Sequence, residues 1–222
     1  MNLKCRLLAA TIIFFAPHFS RAWADSIIKP ADYEVGAPPL FSINISSNDF
    51  GDIPGWYGDL FVDAATHSGH QPHLFGIHHI SDLALSTAAV VSDLIPSRRC
   101  LWIVYRYYGW ADPHTGGTCG VLLLVNGRKL TPVLKVPLDE IGGGAGEGYK
   151  ETVSYIFSRF TDKAPKDYTP NVRITNEVWA TTQEELEHPG PKPLSTSQSI
   201  YTFNGKQFVD GSGDPSPGCE TQ

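Results

Sequence analysis

The segment from Cys100 to Leu134 constrains the fold of this chain more than any other part of the sequence. Two apolar runs, Leu101–Tyr108 and Gly120–Val125, flank a polar loop, and a third run follows the pair Asn126-Gly127. Aromatic and β-branched residues dominate the first run, and they suit the pleated surface of a sheet better than a helix. Because both faces of this run are apolar, we expect a central strand that is covered on both sides.

Asn-Gly pairs mark two predicted hairpins. Asn126-Gly127 is typical of a two-residue hairpin turn, because both residue types tolerate a positive φ. The returning segment contains Pro132, which has no N–H, so we expect this segment to be an edge strand. A second hairpin is expected where Ser199–Phe203 and Lys206–Val209 flank the pair Asn204-Gly205.

Three other segments carry helical patterns. Apolar residues recur at helical spacing between 149 and 160, which predicts an amphipathic helix packed on the sheet. Residues 81–94 favour a helix, although the run Ala89-Val90-Val91 within them fits a strand equally well. Thr181-Thr182-Gln183-Glu184 resembles a capping box that opens a third, short helix.

Together these patterns predict an α+β fold. We expect a single domain over residues 25–210, built mainly from an antiparallel sheet of hairpins with one or two packed helices. Asn171–Ala180 adds a further predicted strand. Residues 211–222 have the composition of a flexible tail. The predicted domain is long enough to bury roughly 70% of the surface that its unfolded chain exposes.

Residues 1–24 have the three parts of a secretory signal peptide. Two basic residues come first, Leu7 to Ala16 forms the apolar stretch, and Ala22-Trp23-Ala24 supplies the small-residue cleavage pattern. We therefore expect a mature chain that begins at Asp25 and is periplasmic or secreted. No other stretch is long and apolar enough to cross a bilayer, so we expect no membrane span in the mature chain.

Cleavage would make the chain more acidic. The whole chain has 17 Lys and Arg against 23 Asp and Glu, a net charge of -6. The signal segment removes three basic residues and no acidic one, which leaves 14 against 23 and a net charge of -9. An acidic chain is a poor ligand for nucleic acid or anionic lipid, so we expect no nucleic-acid partner. It suits a cationic partner, although most acidic surfaces serve only solubility.

Three cysteines remain after cleavage, and in an oxidising compartment two of them should pair. Proximity in sequence favours a disulfide between Cys100 and Cys119. Pairing of the two apolar runs as a hairpin argues against it, because that hairpin separates the two cysteines by roughly 25 Å. A bridge to Cys219, or no bridge, stays open.

Five of the eight histidines lie in the short segment His67–His79. Imidazole is a common ligand of zinc and copper, and a site needs three or four converging donors. A period of three places three of these histidines on one edge of an extended segment. The candidate metal ligands are His67, His70, His73 and His79. Solvated loop histidines are the competing interpretation, in which the protein has no cofactor.

No sequence motif for a nucleophile elbow, a dinucleotide site or a paired metal centre is present, which favours a non-catalytic protein over an enzyme. We expect a protein that binds a protein or small-molecule partner in the cell envelope, as an inhibitor, immunity-type or accessory protein. The loop Gly109–Gly117 is the candidate surface, because two buried strands fix its ends. Its candidate binding residues are Tyr108, Trp110, Asp112 and His114. The alternative is a metal-binding protein or metal-dependent hydrolase based on the histidine cluster.

Overall fold

A computed structural model describes most of the chain after the predicted signal peptide, which itself lies outside the described residues. The described residues are 31–36, 40–50, 53–65, 73–108, 116–127, 129–144, 147–216 and 218–219. Within them, eleven strands follow one another in sequence order, and each pairs antiparallel with the next. The strands are β1 (Ala31–Val35), β2 (Phe41–Phe50), β3 (Ile53–Ala64), β4 (Phe75–Val91), β5 (Cys100–Tyr108), β6 (Gly116–Asn126), β7 (Lys129–Gly144), β8 (Glu147–Phe157), β9 (Asn171–Ala180), β10 (Ser195–Phe203) and β11 (Phe208–Val209).

The described part of the chain contains a single helix, α1 (Gln183–Glu187). Its first turn is capped by Thr182, whose side chain accepts a hydrogen bond from the Glu185 N–H. The Glu185 carboxylate in turn accepts from the Thr181 N–H at 2.9 Å. The predicted capping box is therefore present, one residue later than expected. No helix among the described residues has the length and apolar character that a membrane crossing requires.

The α+β prediction is wrong, because the structure is almost entirely antiparallel sheet. The segment 149–160, predicted to be a packed helix, mostly forms β8. Val153, Tyr155 and Phe157 alternate onto the core, whereas Ile156 between them is 66% exposed. A period of two, in a segment rich in branched and aromatic residues, outweighs the helical spacing.

The second predicted helix, over residues 81–94, lies mainly in β4. The register of β4 against β5 shifts twice, between Ser81 and Ala84 and again between Leu85 and Thr87. Each shift interrupts the alternation of inward and outward side chains. The strand therefore carries an irregular apolar pattern that resembles a helical one. The predicted strand Asn171–Ala180, by contrast, is confirmed as β9.

Both predicted hairpins form, but their turns differ from the prediction. In the β6–β7 hairpin Asn126 pairs with Lys129, so Asn126 still belongs to the ladder and the turn begins at Gly127. Gly127 has a φ of 59°, the left-handed conformation that glycine adopts without strain. In the β10–β11 hairpin the last pair is Phe203 with Phe208, so residues 204–207 form a four-residue turn.

The ladder curls so that its two halves pack on opposite faces of the central strands. Leu101 and Ile103 of β5 face a cluster with β1–β4, which we call the N-terminal core. Trp102 and Val104 face a second cluster with β7–β11, the C-terminal core. The halves thus act as two sheets that share β5 and β6. The prediction that Leu101–Tyr108 is a central strand covered on both faces is confirmed.

Trp102 anchors the C-terminal core. Its ring crosses β6 over Gly120, where an added Cβ would lie 2.1 Å from the ring atom Cη2. Its Nε1–H donates to the Tyr155 hydroxyl at 2.8 Å, and the two ring centroids are 4.9 Å apart. The Phe157 ring meets the indole edge at 5.2 Å. One side chain of β5 therefore holds β8, which is not its neighbour in the ladder.

The disulfide joins Cys119 to Cys219, with a Cα–Cα distance of 5.9 Å, and Cys100 is a buried free thiol. The predicted Cys100–Cys119 pairing is therefore corrected. Cys119 lies opposite Tyr105 in the β5–β6 ladder, whereas Cys100 lies opposite Leu124. The register of the hairpin keeps Cys100 and Cys119 apart, although they are close in sequence.

The segment after β11, expected to be a loose tail, is tied across β7. The Ser216 hydroxyl donates to the Lys135 carbonyl oxygen at 2.6 Å and accepts from the Lys135 N–H at 3.3 Å. The segment then reaches Cys219 in the N-terminal core. This half of β7 has no β8 partner, because β8 pairs with β7 only from Asp139 onward. Pro132 lies in the same half. This half of β7 is an edge, as predicted, whereas the half from Asp139 onward pairs with β8 and is not.

Replacing Gly120 by Ala is expected to lower the free energy of unfolding by about 1–3 kcal/mol, because the new methyl group displaces the Trp102 ring. Urea unfolding of the purified protein measures this change. Gly211→Ala is the matched control, because a Cβ at Gly211 meets nothing within 4 Å. Equal unfolding midpoints for the two variants would contradict the packing described for Trp102.

Cys219→Ser is expected to lower the free energy of unfolding by about 2–4 kcal/mol, because it opens a loop of 100 residues. Thermal unfolding without reductant gives the comparison, with Cys100→Ala as the control that keeps the disulfide. Peptide mapping under non-reducing conditions should join the peptides that contain Cys119 and Cys219. A linked peptide that contains Cys100 would refute the assignment.

Candidate functional site

An open pocket of about 180 Å³ lies in the C-terminal half of the sheet, between β7 and β10. It forms where β7 and β8 separate, because β7 pairs with β8 only over Asp139–Gly144 while β8 continues along β9. The gap between the diverging strands is the opening of the pocket. The lining residues are Val136, Pro137, Glu151, Val153, Ile174, Asn176, Ser197, Ser199 and Tyr201.

The floor of the pocket is apolar. Val136, Ile174 and Tyr201 are buried members of the C-terminal core, and Val153 packs against them. Strand alternation places these side chains on the inner face, whereas Ile200 on the outer face is 52% exposed. The pocket therefore adjoins the C-terminal core, and its floor is hydrocarbon surface from Val136, Val153 and Ile174.

The rim of the pocket is polar and rich in acceptors. The Asn176 carbonyl oxygen Oδ1 is buried and has no hydrogen-bond partner in the described part of the structure. The Glu151 carboxylate accepts a hydrogen bond from the Tyr149 hydroxyl through Oε2. The hydroxyls of Ser197 and Ser199 complete the rim. None of the nine lining residues is Lys or Arg.

Two further carboxylates lie close to the pocket. Glu140 is directly opposite Glu151 in the β7–β8 ladder, so both side chains project from the same face. Burial raises the pKa of Tyr149, and its hydrogen bond to Glu151 and the charges of Glu151 and Glu140 raise it further. Asp210 acts on the lining residue Tyr201, whose pKa is raised first by burial and then by this carboxylate. These carboxylates therefore place negative charge beside Tyr149 and Tyr201.

The predicted binding loop begins and ends beside this rim. Its anchors are β5 and β6, where Tyr108 pairs with Gly116. Gly117, Glu140 and Glu151 then form one cross-strand row, which places the base of the loop roughly 10 Å from the pocket carboxylate. Of the predicted contact residues, Trp110, Asp112 and His114 lie outside the described residues. The Tyr108 backbone is described, but its side chain is not.

Sequence reasoning missed the pocket residues, which come from four strands. One signal was available in β9. Val172 and Ile174 alternate as apolar residues, and the next inward position is Asn176 instead of a third apolar residue. An amide at an inward position of a strand indicates either a buried hydrogen bond or a polar opening in the core.

The predicted metal ligands are only partly described. His67 and His70 lie outside the described residues, and of His79 only the backbone is described. The His73 imidazole Nδ1 is 2.8 Å from the Asp63 carboxylate, and its ring stacks on Phe61. His73 is thus oriented by a carboxylate on the outer face of β3.

His78, which was not among the predicted ligands, is positioned in a similar way. Its Nδ1 is 3.7 Å from Asp59, and its ring meets the edge of Phe61. Asp59 and Asp63 are four residues apart on β3, roughly 13 Å, so their two histidines do not share one point. Among the described residues, no three His, Cys, Asp or Glu side chains form a group that could hold a metal ion. The zinc or copper site stays a prediction.

A second, wider opening of about 620 Å³ lies between β1 and the end of β4. Its lining residues are Glu34, Val35, Gly36, Leu40, Ala88, Ala89, Val90, Ser92 and Arg99. Both signs of charge are present, so this opening has no distinct electrostatic preference. The β7–β10 pocket has the more defined chemistry.

Comparisons with protein-family models, with curated protein sequences and with solved structures found no match. The lining of the β7–β10 pocket contains no His, Cys or Lys, and Glu151 is its one carboxylate.

Asp139 lies near the pocket but faces a different environment. Its Oδ1 is buried without a hydrogen-bond partner among the described residues, and burial raises its pKa, an effect that the nearby Lys150 opposes. An acid whose pKa is raised by folding stabilises the native state least at high pH. Its destabilising effect is absent below the unfolded-state pKa of 3.8 and grows as pH rises above it.

Asp139→Asn is accordingly expected to raise the melting temperature at about pH 7 and to leave it nearly unchanged at about pH 3, where both states carry a protonated group. Differential scanning calorimetry at the two pH values measures the effect. Asp162→Asn, at an exposed position, is the control and should change neither value. A loss of stability at neutral pH would show that the Asp139 charge is stabilised by its surroundings.

Proposed function

We propose that this protein is an exported, non-catalytic binding protein that holds its partner at the β7–β10 pocket. The observation that carries the proposal is the buried Asn176 carbonyl oxygen, which has no hydrogen-bond partner in the described structure and lies beside Glu151 in the pocket lining. Buried acceptors in native proteins are nearly always paired. An apolar floor with a few convergent polar groups is the usual construction of a binding site.

The size of the pocket favours a protein partner over a free small molecule. Its volume of about 180 Å³ is below the roughly 300–1,000 Å³ of pockets that enclose drug-sized ligands. A cavity of this size suits one side chain that projects from a larger surface. The loop Gly109–Gly117, with Trp110 and Tyr108, would supply the rest of the interface, since aromatic residues are frequent binding anchors.

Two observations support export. The first is the signal-peptide pattern of residues 1–24. The second is the Cys119–Cys219 disulfide, because disulfides persist in oxidising compartments such as the periplasm and the extracellular space. An inhibitor, an immunity-type protein or an accessory subunit in the cell envelope fits both the location and the rigid sheet. These roles share one requirement, a preformed surface that binds a partner without catalysing a reaction.

Filling the pocket with a large side chain tests the proposal. Ser199→Trp places an indole in the pocket, whereas Gln198→Trp places the same group on the opposite face of β10. Both positions are exposed, so both variants should unfold like the wild type. After a partner is captured from the host envelope fraction and purified, its affinity should fall at least about tenfold, or 1.4 kcal/mol, for Ser199→Trp alone.

Circular dichroism and urea unfolding confirm that both variants are folded. The measurement of interest is the dissociation constant of the purified partner, determined by calorimetry for the wild type and both variants. Equal dissociation constants for the three proteins would exclude the β7–β10 pocket as the binding site. A loss confined to Gln198→Trp would place the site on the outer face.

A further inference from the structure

We propose that the β7–β10 pocket receives the cationic side chain of a lysine or arginine from a protein partner. This inference rests on the proposed binding function and specifies the chemistry of the occupant. Lysine and arginine share an aliphatic stem and a head group that donates several hydrogen bonds. The pocket offers a matching surface to each part.

The apolar floor matches the aliphatic stem. Val136, Val153 and Ile174 present only hydrocarbon at the base, and Pro137 adds a ring without an N–H. Long basic side chains bury their methylene groups along such surfaces while the charged head stays near polar groups. The buried Tyr201 side chain completes this floor.

The rim matches the head group. Asn176 Oδ1 is a buried acceptor without a donor among the described residues, and Glu151 adds a carboxylate to the same lining. A buried acceptor that stays unpaired costs free energy, which a donor from the ligand would recover. Ammonium and guanidinium groups carry donors and no acceptor, so their chemistry matches both of these acceptors.

Charge favours a cation over the other side chains of similar size. The lining contains the Glu151 carboxylate and no Lys or Arg. A bound cation pairs with this carboxylate. A carboxylate ligand would be repelled by it, and a neutral apolar side chain would leave Asn176 Oδ1 without a donor among the described residues.

Peptide titration of the isotope-labelled mature protein, followed by nuclear magnetic resonance, tests the inference. The probes are capped pentapeptides Gly-Gly-X-Gly-Gly in which X is lysine, arginine, norleucine or glutamate. Lysine and arginine peptides should shift the amide resonances of Glu151, Asn176 and Ser197 with dissociation constants in roughly the millimolar range. The norleucine peptide, which keeps the stem and lacks the charge, should bind at least about tenfold more weakly. The glutamate peptide should cause no shift.

Matched variants test whether the charge of Glu151 contributes to the affinity for the lysine peptide. Glu151→Gln keeps the shape of the rim and removes one charge, so lysine binding should weaken by about tenfold, equivalent to 1.4 kcal/mol. Glu187→Gln, an exposed acid on α1, should leave the affinity unchanged. Added salt should weaken binding of the lysine peptide more than that of the norleucine peptide.

The outcomes separate this inference from the proposed function. Norleucine binding as tight as lysine binding, or no shift with any peptide, overturns the cationic occupant. The partner-binding role is judged separately, by the loss of partner affinity in Ser199→Trp relative to Gln198→Trp. If the lysine and arginine peptides do not bind but Ser199→Trp weakens partner binding, the pocket binds its partner through a side chain that is not cationic.

Discussion

The contact between Trp102 and Tyr155 is the interaction on which the C-terminal half of the structure depends. The strands of a long antiparallel meander twist, so the sheet curls, and side-chain contacts decide how its halves pack over the centre. Here the Trp102 ring projects across Gly120, and its buried N–H requires an acceptor, which the Tyr155 hydroxyl supplies. The hydrogen bond fixes the side of the sheet to which β8 returns. Because β8 is held there, it separates from β7, and the separation creates the pocket.

The N-terminal half is closed by a different device. Its core contains the Cys119–Cys219 bridge, which brings the end of the described chain back to the central strand β6. On the way, Ser216 bonds to Lys135 on the half of β7 that lacks a β8 partner. A side-chain hydroxyl thus substitutes locally for a neighbouring strand. The two faces of the central strands are therefore covered in different ways. One face is held by the contact between Trp102 and Tyr155, and the other by the Cys119–Cys219 disulfide.

The sequence predicted the elements that depend on local patterns and missed those that depend on distant contacts. The central strand Leu101–Tyr108, the strand Asn171–Ala180 and the capping of α1 follow from propensity and spacing. The helix predicted over 149–160 failed because Ile156 is apolar but exposed, which completed a false helical stripe. The pocket was beyond prediction, because its lining comes from β7, β8, β9 and β10, whose convergence depends on how far β7 and β8 stay paired.

The register of the β5–β6 hairpin has a consequence for the order of oxidation. Cys100 and Cys119 are close in sequence, so an unfolded chain would bring them together more often than either meets Cys219. Hairpins form in roughly microseconds, whereas disulfides form in seconds or longer. Once Cys119 lies opposite Tyr105 and Cys100 opposite Leu124, the nearer thiol is out of reach. The hairpin thereby prevents a disulfide between Cys100 and Cys119, and it leaves Cys119 free to pair with Cys219.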